Sequence, residues 1–408
     1  MTNAPRTRLF TPLRLGPIEL RNRTIRAAAF EGMAAGNAPT PALAEYHEAV
    51  AAGGVGMTTV AYAAVARGGL SFGHQLLLRP EIVPELARLT ARIHAHGAKA
   101  SIQIGHAGNM AKRSVTGERP IAPSARPNLY GPTWPRSMDR SDLARVVSCF
   151  GVATRTAQDA GFDAVEVHAG HGYLISQFLS PKTNRRDDDY GGPLDRRMRL
   201  LREVIGAVLG GGSGSTAVLV KMNLSDGFAG GQTLDEAIEI AKVLERDGAH
   251  ALVLSGGFVS RSPMYIMRGA MPIPVMAEQA NNRLLSPFIR AAGPYLVPEV
   301  PYEDLYFLQD AIRVRAEVKM PLVYIGGVTS RATAERALDA GFDAVAIARA
   351  LIREPDFVRR MEAEAEAASP CDHCNYCAAR IYGTHMACSQ VEPPPANLAR
   401  FVRPARSA

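Results

Sequence analysis

Gln158-Asp-Ala-Gly161-Phe-Asp-Ala-Val-Glu-Val-His168 is a phrase this chain repeats: Leu338-Asp-Ala-Gly341-Phe-Asp-Ala-Val-Ala-Ile-Ala348 echoes it closely. Glu245-Arg-Asp-Gly248-Ala-His-Ala-Leu-Val-Leu-Ser255 is a weaker copy, and Ala51-Ala-Gly53-Gly-Val-Gly-Met-Thr-Thr-Val60 another. Each reads as a helix end, a glycine C-cap, then an unbroken apolar strand. A strand with no polar alternation is buried on both faces, which is the mark of a parallel sheet. Working outward, eight such strands are expected near 24–30, 55–61, 99–104, 163–168, 217–223, 250–255, 321–325 and 343–347. Helical patterns fall between most of them, at Pro80–His96, Ser141–Asp159, Arg196–Leu209, Leu234–Arg246 and Ser330–Ala340. Eight strands alternating with helices predict an α/β chain folded as a (β/α)8 TIM barrel. An open doubly wound sheet would place a glycine-rich fingerprint after the first strand, where this chain has Arg26-Ala-Ala-Ala-Phe30.

The remaining length divides simply. Residues 1–365 are assigned to the barrel and 366–408 to a short Cys-rich C-terminal extension. The connections 105–140, with Tyr130 and Trp134, and 256–306 are long; with no structure of their own they would be lids or binding loops on the active face. Gly210–Ser215 reads as a flexible link, and the Ala/Glu run 362–368 as a helix that ends the barrel. Composition is globular, 47% hydrophobic and 21% charged. The net charge of +7 is scattered among acidic neighbours, as where Arg185-Arg186 meets Asp187-Asp188-Asp189. That pattern argues for solvated faces and an anionic cofactor site, against a nucleic-acid stripe. The N-terminus lacks a signal-like apolar run and no stretch approaches membrane-spanning length, so a cytoplasmic protein with no membrane partner is expected. Four of five cysteines crowd residues 371–388, which suits a metal or cluster better than a disulfide framework; Cys149 reads as a small core residue.

Chemistry concentrates at strand ends. His168-Ala-Gly-His171-Gly-Tyr173 follows the fourth strand. Two imidazoles can donate to one oxygen and a phenol can deliver a proton nearby, a set suited to building charge on a carbonyl or nitro oxygen and protonating the adjacent carbon. Gly326 and Gly327 close strand seven; Ala348 and Arg349 close strand eight. Barrels bind phosphate there, with close backbone approach and a bidentate arginine. Gln103 on strand three can serve a heterocycle edge. Lys221 on strand five must find an anion, either a cofactor's or a barrel carboxylate such as Glu166.

These residues resemble the Old Yellow Enzyme family of FMN-dependent ene-reductases over roughly residues 7–360. The resemblance rests on Leu9–Gly16 with Leu20–Arg23, on Gln103-Ile-Gly-His106-Ala-Gly108, on Val167–Pro181, on Asn184–Gly192, and on Gly326, Gly327 and Arg349. It implies FMN at the strand C-termini, His168 and His171 on the substrate's activating oxygen, and Tyr173 as proton donor. It also implies Gln103 and Lys221 on the flavin's pyrimidine side, Ala28 and Ala29 beside the ring, and Gly326, Gly327, Ala348 and Arg349 around the phosphate. This chain departs where family members often carry Arg for Lys221, Thr or Cys in the Ala27–Phe30 run, and Gly for Ala348.

Cys371-Asp-His-Cys374-Asn-Tyr-Cys377 with Cys388 resembles the iron–sulfur segment of the dienoyl-CoA reductase and trimethylamine dehydrogenase branch. A four-iron cluster, zinc, or four reduced thiols all remain open readings of it. The resemblance implies an NAD(P)H-dependent flavin oxidoreductase acting on a small electrophilic alkene, with NADH or NADPH as reductant and assembly into a homo-oligomer left open. The alternative is oxidative demethylation of an amine with electrons leaving through the cluster. A phosphorylated-sugar lyase would explain the glycines and Arg349 but leaves His-x-x-His-x-Tyr without a task.

Overall fold

A computed structural model describes residues 7–128, 132–279 and 285–402. Tyr130 lies outside the described residues. Eight parallel strands close into a barrel in chain order. They are β1 (Thr24–Arg26), β2 (Met57–Ala64), β3 (Lys99–Gly105), β4 (Ala164–His168), β5 (Ala217–Asn223), β6 (Ala251–Ser255), β7 (Leu322–Ile325) and β8 (Ala344–Ile347). All eight expected strands are present. Between them run α1 (Pro41–Ala52), α2 (Val83–His94), α3 (Arg140–Asp159), α4 (Arg199–Gly211), α5 (Leu234–Arg246), α6 (Leu308–Arg315) and α7 (Arg331–Asp339), with α8 (Phe357–Ala363) after β8.

The repeated phrase has one structural meaning in three places. Helices α3, α5 and α7 end at left-handed Gly161, Gly248 and Gly341, with φ of +80°, +90° and +100°. The residue after each glycine bonds back into the helix: Phe162 N–H to Ala157 O, Ala249 to Leu244, Phe342 to Ala337. That closure satisfies orphan carbonyls and buries the residue beyond the glycine. The next side chain then caps a neighbouring strand. Asp163 accepts from Ala100 N–H (2.9 Å) and Asp343 from Leu322 N–H (2.9 Å). His250 Nδ1 takes the same role toward Val218 N–H (2.9 Å), so the weaker copy keeps the function with a different acceptor. In the fourth copy the left-handed residue is Gly54, not Gly53.

Two apolar layers result. Inside the barrel, Ile25, Met57, Leu219, Val253, Val323 and small alanines pack onto Leu13, Leu15, Ile18 and Leu20. Those four belong to an antiparallel hairpin, Leu13–Leu15 with Ile18–Leu20, that plugs the N-terminal end. Outside, strand and helix faces share one large cluster that includes Phe150, Leu201, Ile240 and Leu338, with Cys149 packed against it.

Three expectations need correction. The 105–140 connection has structure of its own: among its described residues it carries helix Arg113–Thr116 and pairs Ile121–Ala122 with Arg136–Ser137. The 256–306 connection is not a bare loop: it carries helices Pro263–Met267, Ile273–Gln279 and Leu285–Leu296. The Ala/Glu run 362–368 is not a helix, because α8 ends at Ala363. Ala367 is drawn into the core and its carbonyl accepts from Arg331 N–H at the start of α7, so tertiary bonding overrides propensity there. Among the described residues, no helix is long and apolar enough to cross a membrane.

Candidate active site

The C-terminal ends of the strands surround a cavity of about 280 Å³. That is near the lower end of small-molecule sites, which run from about 300 Å³. His168 ends β4 and sits in register with Lys221 of β5. The chain then turns through left-handed His171 (φ +59°) and Gly172 (φ +79°). His171 N–H bonds to Asn223 Oδ1 at 2.9 Å, which holds the strained residue in place. A Cβ at Gly172 would lie 2.3 Å from the Phe258 ring, so only glycine allows this turn. Tyr173 follows as the cap of the buried helix Leu174–Leu179. The result is a compact set lining the cavity: ring centroids are 5.0 Å apart for His168 and His171, and 4.5 Å for His168 and Tyr173.

Electrostatics fix the protonation of this set. Burial pushes His168 well below the ordinary imidazole value, helped by His171 and the Lys221 ammonium. Burial, then Lys221, pushes His171 down to about 3. Both rings are therefore neutral near pH 7, each with one N–H to donate. Gly170 N–H points at His168 Nδ1 (3.4 Å), which leaves the His168 proton on Nε2. His171 Nε2 lies 2.7 Å from Ser255 Oγ. Tyr173 is raised well above 10, first by burial and then by Tyr62 and Tyr382, so its phenol is fully protonated at rest.

The floor is polar and anchored. Glu166 Oε1 accepts from Gln103 Nε2 (2.7 Å) and lies 2.8 Å from Lys221 Nζ. The Lys221–Glu166 pair read from the sequence thus forms. Lys221 Nζ nevertheless has no hydrogen bond of good geometry, so a buried cation keeps unspent donors beside the cavity it lines. At the other end Gly326 (φ +118°), Gly327 (φ +70°), Ala348 and Arg349 line the same space. A Cβ on Gly327 would come within 2.4 Å of Leu305 N. Ala28 and Ala29 line it too; the Arg26 guanidinium holds their loop through Ala29 O (2.9 Å) and Glu31 (2.6 Å). A mainly apolar slot with a buried lysine that has donors to spare on one side and an arginine on another fits a flat anionic heterocycle such as FMN.

The cavity thus gathers the eleven expected catalytic and cofactor residues. The Asn184–Gly192 block does not line it. Asn184 Nδ2 bonds the carbonyls of Phe178 and Tyr190, and Arg186 pairs with Asp188, so this block folds a loop.

The C-terminal extension reaches back over the mouth. Cys377, Ile381, Tyr382 and Met386 line the cavity, and Asn375 Oδ1 accepts from Arg349 Nη1 at 2.8 Å. His373 stacks on Tyr302 at 3.7 Å. Cys374, Tyr376 and Leu398 pack with Met264, Ile273 and Val275 of the 256–306 connection. The Cys371, Cys374, Cys377 and Cys388 thiols are free. Burial, only partly offset by the Arg349 guanidinium and reinforced by the other three thiols, pushes Cys377 up to about 12. Among the described residues, no three His, Cys, Asp or Glu side chains are grouped to hold a single metal ion.

The sequence reading missed Tyr62, Phe72, Asn375 and Tyr382. Tyr62 had a signal, a polar-tipped ring near the C-terminal end of a barrel strand, in the apolar run Val60–Ala64. The other three stand in loops whose return to the mouth is a tertiary fact.

The sequence profile of the NADH:flavin oxidoreductase / NADH oxidase family matches residues 8–260. The chain belongs to that family. It is an NAD(P)H-dependent flavin oxidoreductase. It is 42% identical over 383 residues to the 4,4'-dithiodibutanoate disulfide reductase of Rhodococcus erythropolis, covering 94% of this chain and 95% of that one. It is 30% identical over 369 residues to a metal reductase of Desulforamulus reducens, covering 90% of this chain but 50% of that longer protein. Among solved structures, an Old Yellow Enzyme homologue from Zymomonas mobilis superposes with a TM-score of 0.73 at 25% identity, covering 95% of this chain and all of that one. A 2-naphthoyl-CoA reductase complex gives a TM-score of 0.80 at 25% identity, over 97% of this chain and 58% of that one.

Proposed function

We propose that the protein reduces carbon–carbon double bonds activated by an adjacent carbonyl or nitro group, with electrons from NADH or NADPH. The observation that carries this reading is the pair of neutral imidazoles packed against one protonated phenol inside a single cavity. Bound FMN supplies the hydride chemistry that no side chain has. Gln103 and Lys221 would hold its pyrimidine edge, Gly326, Gly327 and Arg349 its phosphate, and Ala28, Ala29 and Ala348 leave room for the ring. His168 and His171 donate to the substrate's oxygen, where charge develops. Tyr173 then protonates the α-carbon; a phenol with its pKa raised this way is protonated at rest and so holds the proton it gives.

Stopped-flow measurement of the two half-reactions tests the assignment. Tyr173→Phe should spare flavin reduction by NADPH and slow reoxidation by 2-cyclohexenone at least tenfold. Equal loss in both half-reactions sinks the proton-donor role.

A second reading is favoured by the disulfide reductase relative: reduction of a linear dicarboxylate disulfide, with the same phenol protonating a departing thiolate. Reoxidation by 4,4'-dithiodibutanoate faster than by any enone would favour it. Amine demethylation is separated from both by reduction with a methylated amine in place of NADPH. A four-iron cluster across Cys371, Cys374, Cys377 and Cys388 is proposed alongside; anaerobically purified protein without iron and sulfide would remove it.

A further inference from the structure

Strand β2 does not pair smoothly with β3. Register shifts between Val60 and Ala63, so the strand bulges at Ala61 and Tyr62. Glu31 fixes the bulge by accepting from Ala61 N–H (3.1 Å). Bulges beside active sites re-aim side chains, and this one sends Tyr62 into the cavity. Its ring lies 4.9 Å from the Tyr173 ring, edge to face. The Tyr62 phenol therefore adjoins the Tyr173 phenol, and on its other side the Tyr62 hydroxyl meets Ser71 Oγ at 2.5 Å.

This chain of hydroxyls is built, not incidental. Gln75 is fully buried. Its Oε1 accepts from Ser71 N–H (2.8 Å), and its Nε2 donates to Tyr62 O (3.1 Å). One amide therefore holds both ends of the Tyr62–Ser71 contact. Ser71 keeps 8% of its surface accessible and lies two residues before exposed Gly73, at the outer end of this chain of hydroxyls.

A proton donor that acts once per turnover must be refilled. Tyr173 opens onto the cavity, and product fills that side at the moment the proton leaves. A bare phenolate there is costly, because burial already disfavours it. We propose that Tyr62 and Ser71 are the return path for the Tyr173 proton. The Tyr173 O–H proton goes to the substrate α-carbon; Tyr62 O–H passes its proton to the Tyr173 oxygen; Ser71 O–H refills Tyr62; water refills Ser71. Each oxygen gains and loses one proton, and the net proton comes from solvent. The inference rests on Tyr173 being the acid of the proposed function.

Holoenzyme variants Ser71→Ala, Tyr62→Phe and Tyr173→Phe test both layers. At saturating NADPH and 2-cyclohexenone, Ser71→Ala and Tyr62→Phe should form one product per flavin quickly. They should then slow at least fivefold, with a larger solvent deuterium effect on the slow phase. Ser71→Ala removes one small hydroxyl, so it keeps the test open if Tyr62→Phe fails to fold. If both variants turn over like the unsubstituted enzyme while Tyr173→Phe is slow, the relay is wrong and the acid assignment stands. If Tyr173→Phe reoxidises at the unsubstituted rate in its first turnover, the acid assignment fails and the relay falls with it.

Discussion

His168 shows how much one position carries. It ends a strand, neighbours the buried Lys221 cation, and stays neutral because burial denies it a charge. A donor aimed at developing oxyanion charge is worth about 2.7–4 kcal/mol. His168→Ala should therefore slow reoxidation by an enone at least tenfold while FMN stays bound; unchanged reoxidation with full flavin content would remove its role. Buried histidines also set a pH dependence. Burial pushes His106 down to about 4, below its ordinary 6.5, and it accepts from Gly108 N–H at 3.0 Å. The unfolded chain then binds the proton first, so stability present above 6.5 is lost as pH falls towards about 4. The urea midpoint of the apoprotein should drop through that window, and His106→Gln should flatten the drop. A midpoint independent of pH there would contradict it. Residue types and order made the imidazole pair and Tyr173 legible in the sequence, because strand-end chemistry is local. Tyr62 needed the bulge that aims it.

At the scale of elements, the helix–glycine–strand phrase is a folding unit with a testable cost. Gly248 is left-handed, and its nearest outside atom is Leu209 Cδ1 at 3.7 Å, so a methyl group has room. Gly248→Ala should therefore destabilise by backbone strain alone, about 1–2 kcal/mol. Gly206 lies inside α4 with nothing within 4 Å of its would-be Cβ. Gly206→Ala should stabilise by roughly 0.5–1 kcal/mol. Denaturant midpoints of the two variants should move in opposite directions; a shift of the same sign would refute the conformational argument. Strands and most barrel helices were readable because continuous apolar runs and glycine caps are short-range signals. The 256–306 helices were not, since Pro and Met obscure their period. The 362–368 run failed in the other direction, through a bond to α7 that no local propensity shows.

On the scale of the whole molecule, the C-terminal extension is part of the cavity wall. Asn375 lies between Cys374 and Cys377 and takes a hydrogen bond from Arg349 while its own amide reaches Arg268 O at 2.7 Å. A hydrogen bond to a charged group is worth about 1.5–3 kcal/mol. Asn375→Ala should weaken FMN binding to the apoprotein about tenfold, since 1.4 kcal/mol is a factor of ten. Fluorescence titration reads this directly, and an unchanged dissociation constant would separate the extension from the flavin site.

The order of apolar runs and glycines dictated the barrel, and the spacing of His168, His171 and Tyr173 dictated a reactive strand end, because both depend on neighbours within a few residues. Which loops wall the cavity and which tyrosine touches Tyr173 were decided only when distant segments packed together. Nothing in the local chain encodes a contact between residues 62 and 173 or between 349 and 375; closure of the ring of strands creates the first, and the fold-back of the extension the second.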